Sequence, residues 1–286
     1  MKSASRRPKK TQTSSQGELV QRLISASVLA IVVALFTVAG IWPFVLMISV
    51  GGAVLAWEWG RLVRGRAWDV VFYVHTICVV LATLLAAVQS NVWLPFCVLA
   101  AGSAVVALLA SSRQDRLWSA FGVLYLGIPC CLLVIFRSDP SFGIAAVFFL
   151  FLIVSSADTA AYFIGRTLRG PKLAPAISPG KTWSGFLGGM AVPTALAYLF
   201  ALWLGGTSAL GVTLVGAGLA FASQIGDLVE SAVKRNFKAK DSGQLLPGHG
   251  GLFDRADGLI GAVLAAGCLA GLRDTLPPSQ AFLIWP

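Results

Sequence analysis

The sequence predicts an all-α, polytopic integral membrane protein of about nine transmembrane helices with a cytoplasmic N-terminus. Three observations predict it. Hydrophobic residues make up 57% of the 286 and charged residues only 12%, against about 45–50% and about 25% in soluble proteins. The apolar excess runs along nearly the whole chain, which excludes a soluble enzyme on one tether. At about 20 residues per crossing, nine crossings consume roughly 180 residues and leave only loops and tails in water.

Residues 1–19, rich in Ser, Thr, Gln, Lys and Arg, read as a disordered basic cytoplasmic tail. Apolar segments long enough to span follow at 20–38, 41–60, 70–88, 92–110 and 118–136, so that 20–140 forms an N-terminal set of helices. Further segments at 142–164, 184–204, 207–233 and 257–273 fill a C-terminal region, 141–286, with polar loops at 165–183 and 235–256. The basic tail and first run also have the form of a secretory signal, with a cleavage point near Val38 and Ala39. That run is as long as a full span and a second follows after a very short turn, which favours its retention as the first helix. Pro43, Pro95, Pro129 and Pro193 fall near segment ends or inside segments, where neighbouring helices satisfy the backbone groups they free. The five cysteines, Cys78, Cys97, Cys130, Cys131 and Cys268, lie in apolar stretches without a CxxC pair or a nearby histidine, and read as small core residues.

The net charge of +10 is not a nucleic-acid footprint. With nine alternating crossings, all but two of the 22 Lys and Arg residues fall on the side of the N-terminus, leaving Arg137 and Arg273 opposite. This is the positive-inside pattern of a chain whose basic face meets anionic head groups.

Twelve acids are few enough to be read singly, and Asp158, Asp227, Glu230, Asp241, Asp254 and Asp257 lie near the cytoplasmic ends of predicted helices. Charges at such depth are costly and usually functional. Ser223, Asp227, Glu230, Ser231 and Lys234 share one face of the eighth segment. They form either a polar stripe entering the membrane or a structural ion pair. The following loop holds Lys234, Arg235, Lys238, Lys240 and Asp241, then Pro247-Gly248-His249-Gly250-Gly251, then Asp254-Arg255-Ala256-Asp257. Glycines admit an anionic ligand close to backbone N–H groups. Carboxylates without thiolates or a histidine cluster favour a hard cation, Mg²⁺ first. Together these residues predict a site for phosphate and metal.

Upstream, Asp158, Tyr162 and Gly165 lie at offsets of four and three, ahead of SPGKTWSG at 178–185. Gly180-Lys181-Thr182 mimics the end of a Walker A loop, but Pro175 stands where its first glycine belongs and no strand is expected before it. Phosphate contacts by Ser178, Lys181 and Thr182 and a plain helix-capping segment both remain open. His249 between glycines reads as a loop-shaping or hydrogen-bonding residue rather than a base. His75 reads as structural, and Glu58, between Trp57 and Trp59, as a snorkelling interface residue.

The run Ser231-Ala-Val-Lys234-Arg235, then Lys240-Asp241-Ser-Gly, Leu-Pro247-Gly-His249-Gly250-Gly251 and Asp254-Arg255-Ala-Asp257 resembles the signature of the phosphatidate cytidylyltransferase, or CDP-diacylglycerol synthase, family. The SPGKTW element, Asp158-Thr-Ala-Ala-Tyr162 and Gly226-Asp227 are similar too, so the likeness covers roughly the C-terminal half. Ala256 replaces a usually larger apolar residue, and Ser184 stands where many members carry an acid. The resemblance implies an enzyme joining CTP and phosphatidate into CDP-diacylglycerol and pyrophosphate, working as a homodimer without nucleic acid. The active site would face the cytoplasm from the cell inner or plasma membrane. It implies Mg²⁺, with a second cation as an open alternative, held by Asp227, Asp254 and Asp257, and places Lys234 with these acids in catalysis. Ser231 would contact phosphate. Ser178, Lys181, Thr182, Arg235, Lys240, Asp241, His249, Gly250, Gly251 and Arg255 complete the expected substrate-binding set. Two other classes are weighed against this one: a CTP-dependent lipid or polyprenol kinase, which would move the γ-phosphoryl group, and a cation-coupled transporter, whose acids would lie near the midplane.

Overall fold

A computed structural model describes residues 15–88, 91–243, 250–273 and 275–286. The chain is a bundle of long helices: α1 (Ser15–Ala39), α2 (Ile41–Arg64), α3 (Val70–Val88), α4 (Leu94–Leu109), α5 (Arg113–Arg137), α6 (Gly143–Leu168), α7 (Trp183–Leu204), α8 (Ala209–Asn236) and α9 (Phe253–Leu272), with a short α10 (Gln280–Leu283). Seven of them, α2, α3, α5, α6, α7, α8 and α9, are long and apolar enough to cross a membrane, whereas α4 and residues 27–39 of α1 form shorter apolar stretches. The chain is therefore an all-α membrane protein.

The departure from an all-helical reading is a small antiparallel hairpin, β1 (Lys172–Ala174) with β2 (Ser178–Thr182), in the loop between α6 and α7. Its second strand runs straight into α7, and the Thr182 hydroxyl accepts the Gly185 N–H at 3.2 Å. Capping and the GKT triplet thus occupy the same residues. Ser112 caps α5 and Ser208 caps α8 in the same way.

In lipid there is little hydrophobic drive between helices, so close packing decides their contacts. Helices α2, α3, α4 and α5 pack on one another, α6 to α9 do likewise, and α5 touches both α6 and α9. The crossing of α8 and α9 is close because Gly226 and Gly261 face each other: a Cβ on Gly226 would meet the Gly261 backbone at 3.1 Å. Gly165 and Gly185 let α6 approach α7 in the same manner. These contacts set the carboxylates of α8 beside those of α9. Behind them, Trp59 of α2 packs among Trp118 and Tyr125 of α5 and meets Phe253 of α9 edge-on at 5.6 Å.

At the other end of the bundle the two expected lone cations are engaged locally. Arg137 donates to the Thr37 carbonyl at 2.7 Å, and Arg273 stacks on Trp285 while donating to the carbonyls of Ala281 and Ile284. His75 is buried, as expected of a structural residue. Cys130 and Cys131 are buried, but Cys97 and Cys268 lie on the exposed surface of the bundle, so the core expectation fails for that pair.

Candidate active site

A cleft of about 1470 Å³ opens where α6 and α8 end and α7 and α9 begin, beside the hairpin. Helix α8 supplies Asp227, Glu230 and Lys234 from successive turns of one face, as the stripe predicts. The first turns of α9 supply Asp254, Arg255 and Asp257, α6 supplies Asp158, and β2 supplies Ser178, Lys181 and Thr182. Lys240, Asp241 and Gly250 close the rim.

Carboxylate oxygens of Asp227, Glu230 and Asp257 all lie within 4.8 Å of one another. Glu230 and Asp257 are buried and Asp227 is half-buried. Such crowding of like charges is tolerated only beside cations, protons or a metal. Two lysines stand there. Lys181 Nζ is 2.6 Å from Asp227 Oδ2, and Lys234 Nζ is 2.8 Å from Glu230 Oε1 and 2.7 Å from Asp254 Oδ1.

Asp254 lies outside the group of three. Its Oδ1 accepts from Lys234, while Oδ2 accepts the Gly251 N–H at 2.8 Å, the Ser242 N–H at 3.1 Å and the Ser242 hydroxyl at 3.0 Å. The structure therefore joins Asp227 and Asp257 to Glu230, a residue not in the expected ligand set. The signal for it was in the sequence, three positions after Asp227 on the same stripe.

The remaining expected residues divide. Ser231 donates to Asp227 Oδ1 at a long 3.4 Å. Arg235 is turned away from the cleft: it donates to the Ile177 carbonyl at 3.2 Å and the Ala239 carbonyl at 3.1 Å, tying α8 to the hairpin. Gly251 lies beneath the rim, against Asp254. His249 lies outside the described residues. Ser184 donates its hydroxyl to the Arg169 carbonyl.

Glu58 overturns its expected role. It is fully buried instead of snorkelling, accepting the backbone N–H groups of Leu252 at 2.8 Å and Phe253 at 2.7 Å.

The model of the cytidylyltransferase family matches residues 20–270. The chain is 40% identical over 244 residues to a phosphatidate cytidylyltransferase of Brucella suis, covering 85% of this chain and 90% of that one. It is 31% identical over 279 residues to one of Haemophilus influenzae, covering 86% and 96%. A Staphylococcus aureus protein of the same name is 41% identical over 153 residues, covering 52% of this chain and 56% of its own. A family model that spans nearly every helix of the bundle, including all those that build the cleft, places this chain in the cytidylyltransferase family.

Proposed function

We propose that the chain transfers the cytidylyl group of CTP to phosphatidate, giving CDP-diacylglycerol and pyrophosphate. The observation that carries this reading is the group Asp227, Glu230 and Asp257 with Lys181 and Lys234 paired into it, at the end of membrane helices. The names of the relatives support it.

Phosphatidate presents a phosphate monoester whose second pKa is about 6. Its oxygen is largely ionised at neutral pH and attacks the α-phosphorus without a base. The new bond joins that oxygen to the α-phosphorus, and the bond from the α-phosphorus to the bridging oxygen of the β-phosphate breaks. Pyrophosphate leaves with the electron pair. The side chains supply alignment and positive charge. Lys234, pinned by Glu230 and Asp254, is a fixed cation for the departing pyrophosphate. Lys181 reaches the same place from β2, and Lys240 and Arg255 line the approach. Exposed Tyr162, Phe163, Leu168 and Trp183 beside the cleft leave room for acyl chains to stay in lipid while CTP enters from water.

A carboxylate set without thiolate or imidazole fits Mg²⁺, which would be held by Asp227, Glu230 and Asp257 with Asp254 at their border. When bound, Mg²⁺ would supply further neutralisation of the nucleophile and the triphosphate. We also propose nine spans with the N-terminus and the cleft on the cytoplasmic side of the inner or plasma membrane, on the strength of the charge bias, and a homodimer, on the strength of the resemblance.

The test uses purified protein with phosphatidate and Mg²⁺. A label on the α-phosphate of CTP should enter chloroform-extractable lipid, and a label on the γ-phosphate should leave as pyrophosphate. γ label in the lipid would make the protein a kinase and sink the reading.

A further inference from the structure

Helix α9 carries Asp254 and Asp257 in its first turns, yet its N-terminus has no local side-chain cap: the N-cap position is Leu252. Exposed N–H groups at a helix start need acceptors, ordinarily a neighbouring Ser, Thr, Asp or Asn. Here the acceptor comes from α2. Glu58 Oε1 takes the Leu252 N–H and Oε2 the Phe253 N–H, and Oε2 also accepts the Ser242 hydroxyl at 3.2 Å. These partners lie 184 to 195 residues away in the chain.

The fit around the carboxylate is tight. A Cβ on Gly251 would come within 2.6 Å of Glu58 Oε1, and one on Gly243 within 2.8 Å. Ser242 is shared between Glu58 and Asp254, so the two carboxylates clasp residues 242–243 to residues 251–253. The negative charge also suits the positive end of the helix dipole. A fully buried carboxylate is costly unless its acceptors are filled, and these donors fill them. Among the described residues, Glu58 meets the cleft lining through Gly243 and through Ser242, which it shares with Asp254, and it holds α9 through Leu252 and Phe253.

We propose that Glu58 is a positioning residue: by capping α9 from across the bundle it holds Asp257 against Asp227 and Glu230. The metal-binding group then assembles only with α2 docked. This rests on the functional reading above. Glu58→Gln keeps the shape but turns one acceptor into a donor, facing an N–H it can no longer accept.

The full-length protein in detergent is compared with E58Q by Mn²⁺ binding, followed by electron paramagnetic resonance, and by α-label transfer over a range of Mg²⁺. E58Q should stay monodisperse, bind Mn²⁺ about tenfold more weakly and lose about tenfold in kcat at limiting Mg²⁺, as supporting groups around metal ligands do. Its KM for CTP should stay within about twofold, and excess Mg²⁺ should restore turnover. Because metal that binds the folded state would also rescue a loosened fold, E58Q should in addition melt, without metal, within about 2 °C of wild type, and a larger fall would assign the loss to folding and overturn the proposal. Wild-type Mn²⁺ affinity in a monodisperse E58Q, or a kcat loss that no Mg²⁺ concentration relieves, would overturn the proposal. Should E58Q aggregate, E58D, which keeps the charge but withdraws it by one methylene, is judged by the same two measurements. Wild-type protein that binds Mn²⁺ but forms no labelled lipid would refute the proposed reaction, while metal binding alone would still decide the role of Glu58.

Discussion

Removing Lys234 should uncouple stability from turnover in a way the structure makes quantitative. Its ammonium bridges Glu230 and Asp254 at 2.8 and 2.7 Å, and the three side chains are 13%, 1% and 10% exposed. That depth makes the bridge a buried ion pair, not a surface one. Lys234→Ala strands two carboxylates, a loss of about 3–5 kcal/mol in buried pairs. The cleft admits water, so the lower end, about 3 kcal/mol, is expected, or roughly 6–12 °C in Tm on the soluble-protein scale for this length. The catalytic loss is that of a charged hydrogen bond, about 1.5–3 kcal/mol, which is about a 10- to 150-fold fall in kcat. Adding Glu230→Gln removes one stranded charge, so K234A/E230Q should regain much of the lost Tm and none of the turnover. Tryptophan-fluorescence melting in detergent reads the first quantity and α-label transfer the second. If K234A melts within about 2 °C of wild type, the burial cost assigned here is wrong. If the double variant recovers turnover, Lys234 serves only to neutralise Glu230 and not the leaving group.

Asp227→Asn, which removes a carboxylate from the group of three and a partner from Lys181, should abolish label transfer while the protein elutes as a monodisperse species; wild-type activity would remove Asp227 from the site. His249→Ala should cost less turnover than Lys234→Ala because the nucleophile needs no base, and a dead variant rescued only at high pH would reverse that order. In a background without native cysteines, a cysteine at exposed Asn236 should be labelled from the cytoplasmic side and one at exposed Thr275 from the opposite side; labelling of both from one face would contradict a single crossing between them. Outside the spans, burial tends to raise the Asp139 carboxyl, but the Ser279 hydroxyl, the Ser141 N–H, the Gln280 amide and the Phe142 N–H outweigh it and hold it below the usual carboxylate range. A depressed carboxylate contributes stability above its unfolded value that is lost as pH falls through its folded one. Asp139→Asn should flatten the fall of Tm with pH below about 4, and an unchanged slope would show that the network is not coupled to folding.

Hydropathy found the helices well where lipid is the only demand: the expected 70–88 is α3, and 184–204 begins one residue after α7 does. It fell short where a helix continues into polar surroundings. The expected 207–233 and 257–273 miss Lys234 to Asn236 and Phe253 to Ala256, because backbone hydrogen bonding does not stop where the apolar side chains do. Those turns carry Lys234 and Asp254, which helical offsets and charge, not hydropathy, single out. The polar residues of the cleft were legible because offsets of three and four on a membrane helix are few and charged groups there are rare. The hairpin was not, since a three-residue strand leaves no periodicity to read. Neither was Glu58, whose meaning lies in a contact nearly two hundred residues away.

The span of that contact has a consequence for biosynthesis. Leu252 follows Glu58 by 194 residues, which at about 5–20 residues per second is roughly 10–40 s of translation. Through that interval the nascent chain holds an acid near the end of an early helix whose backbone donors have not yet been made. The early helices therefore reach the bilayer unfinished, and only the last long helix completes them. A ribosome-released chain ending at Gly243 should be recognised by cellular quality control and degraded faster than the full-length protein, despite containing α1 to α8 entire.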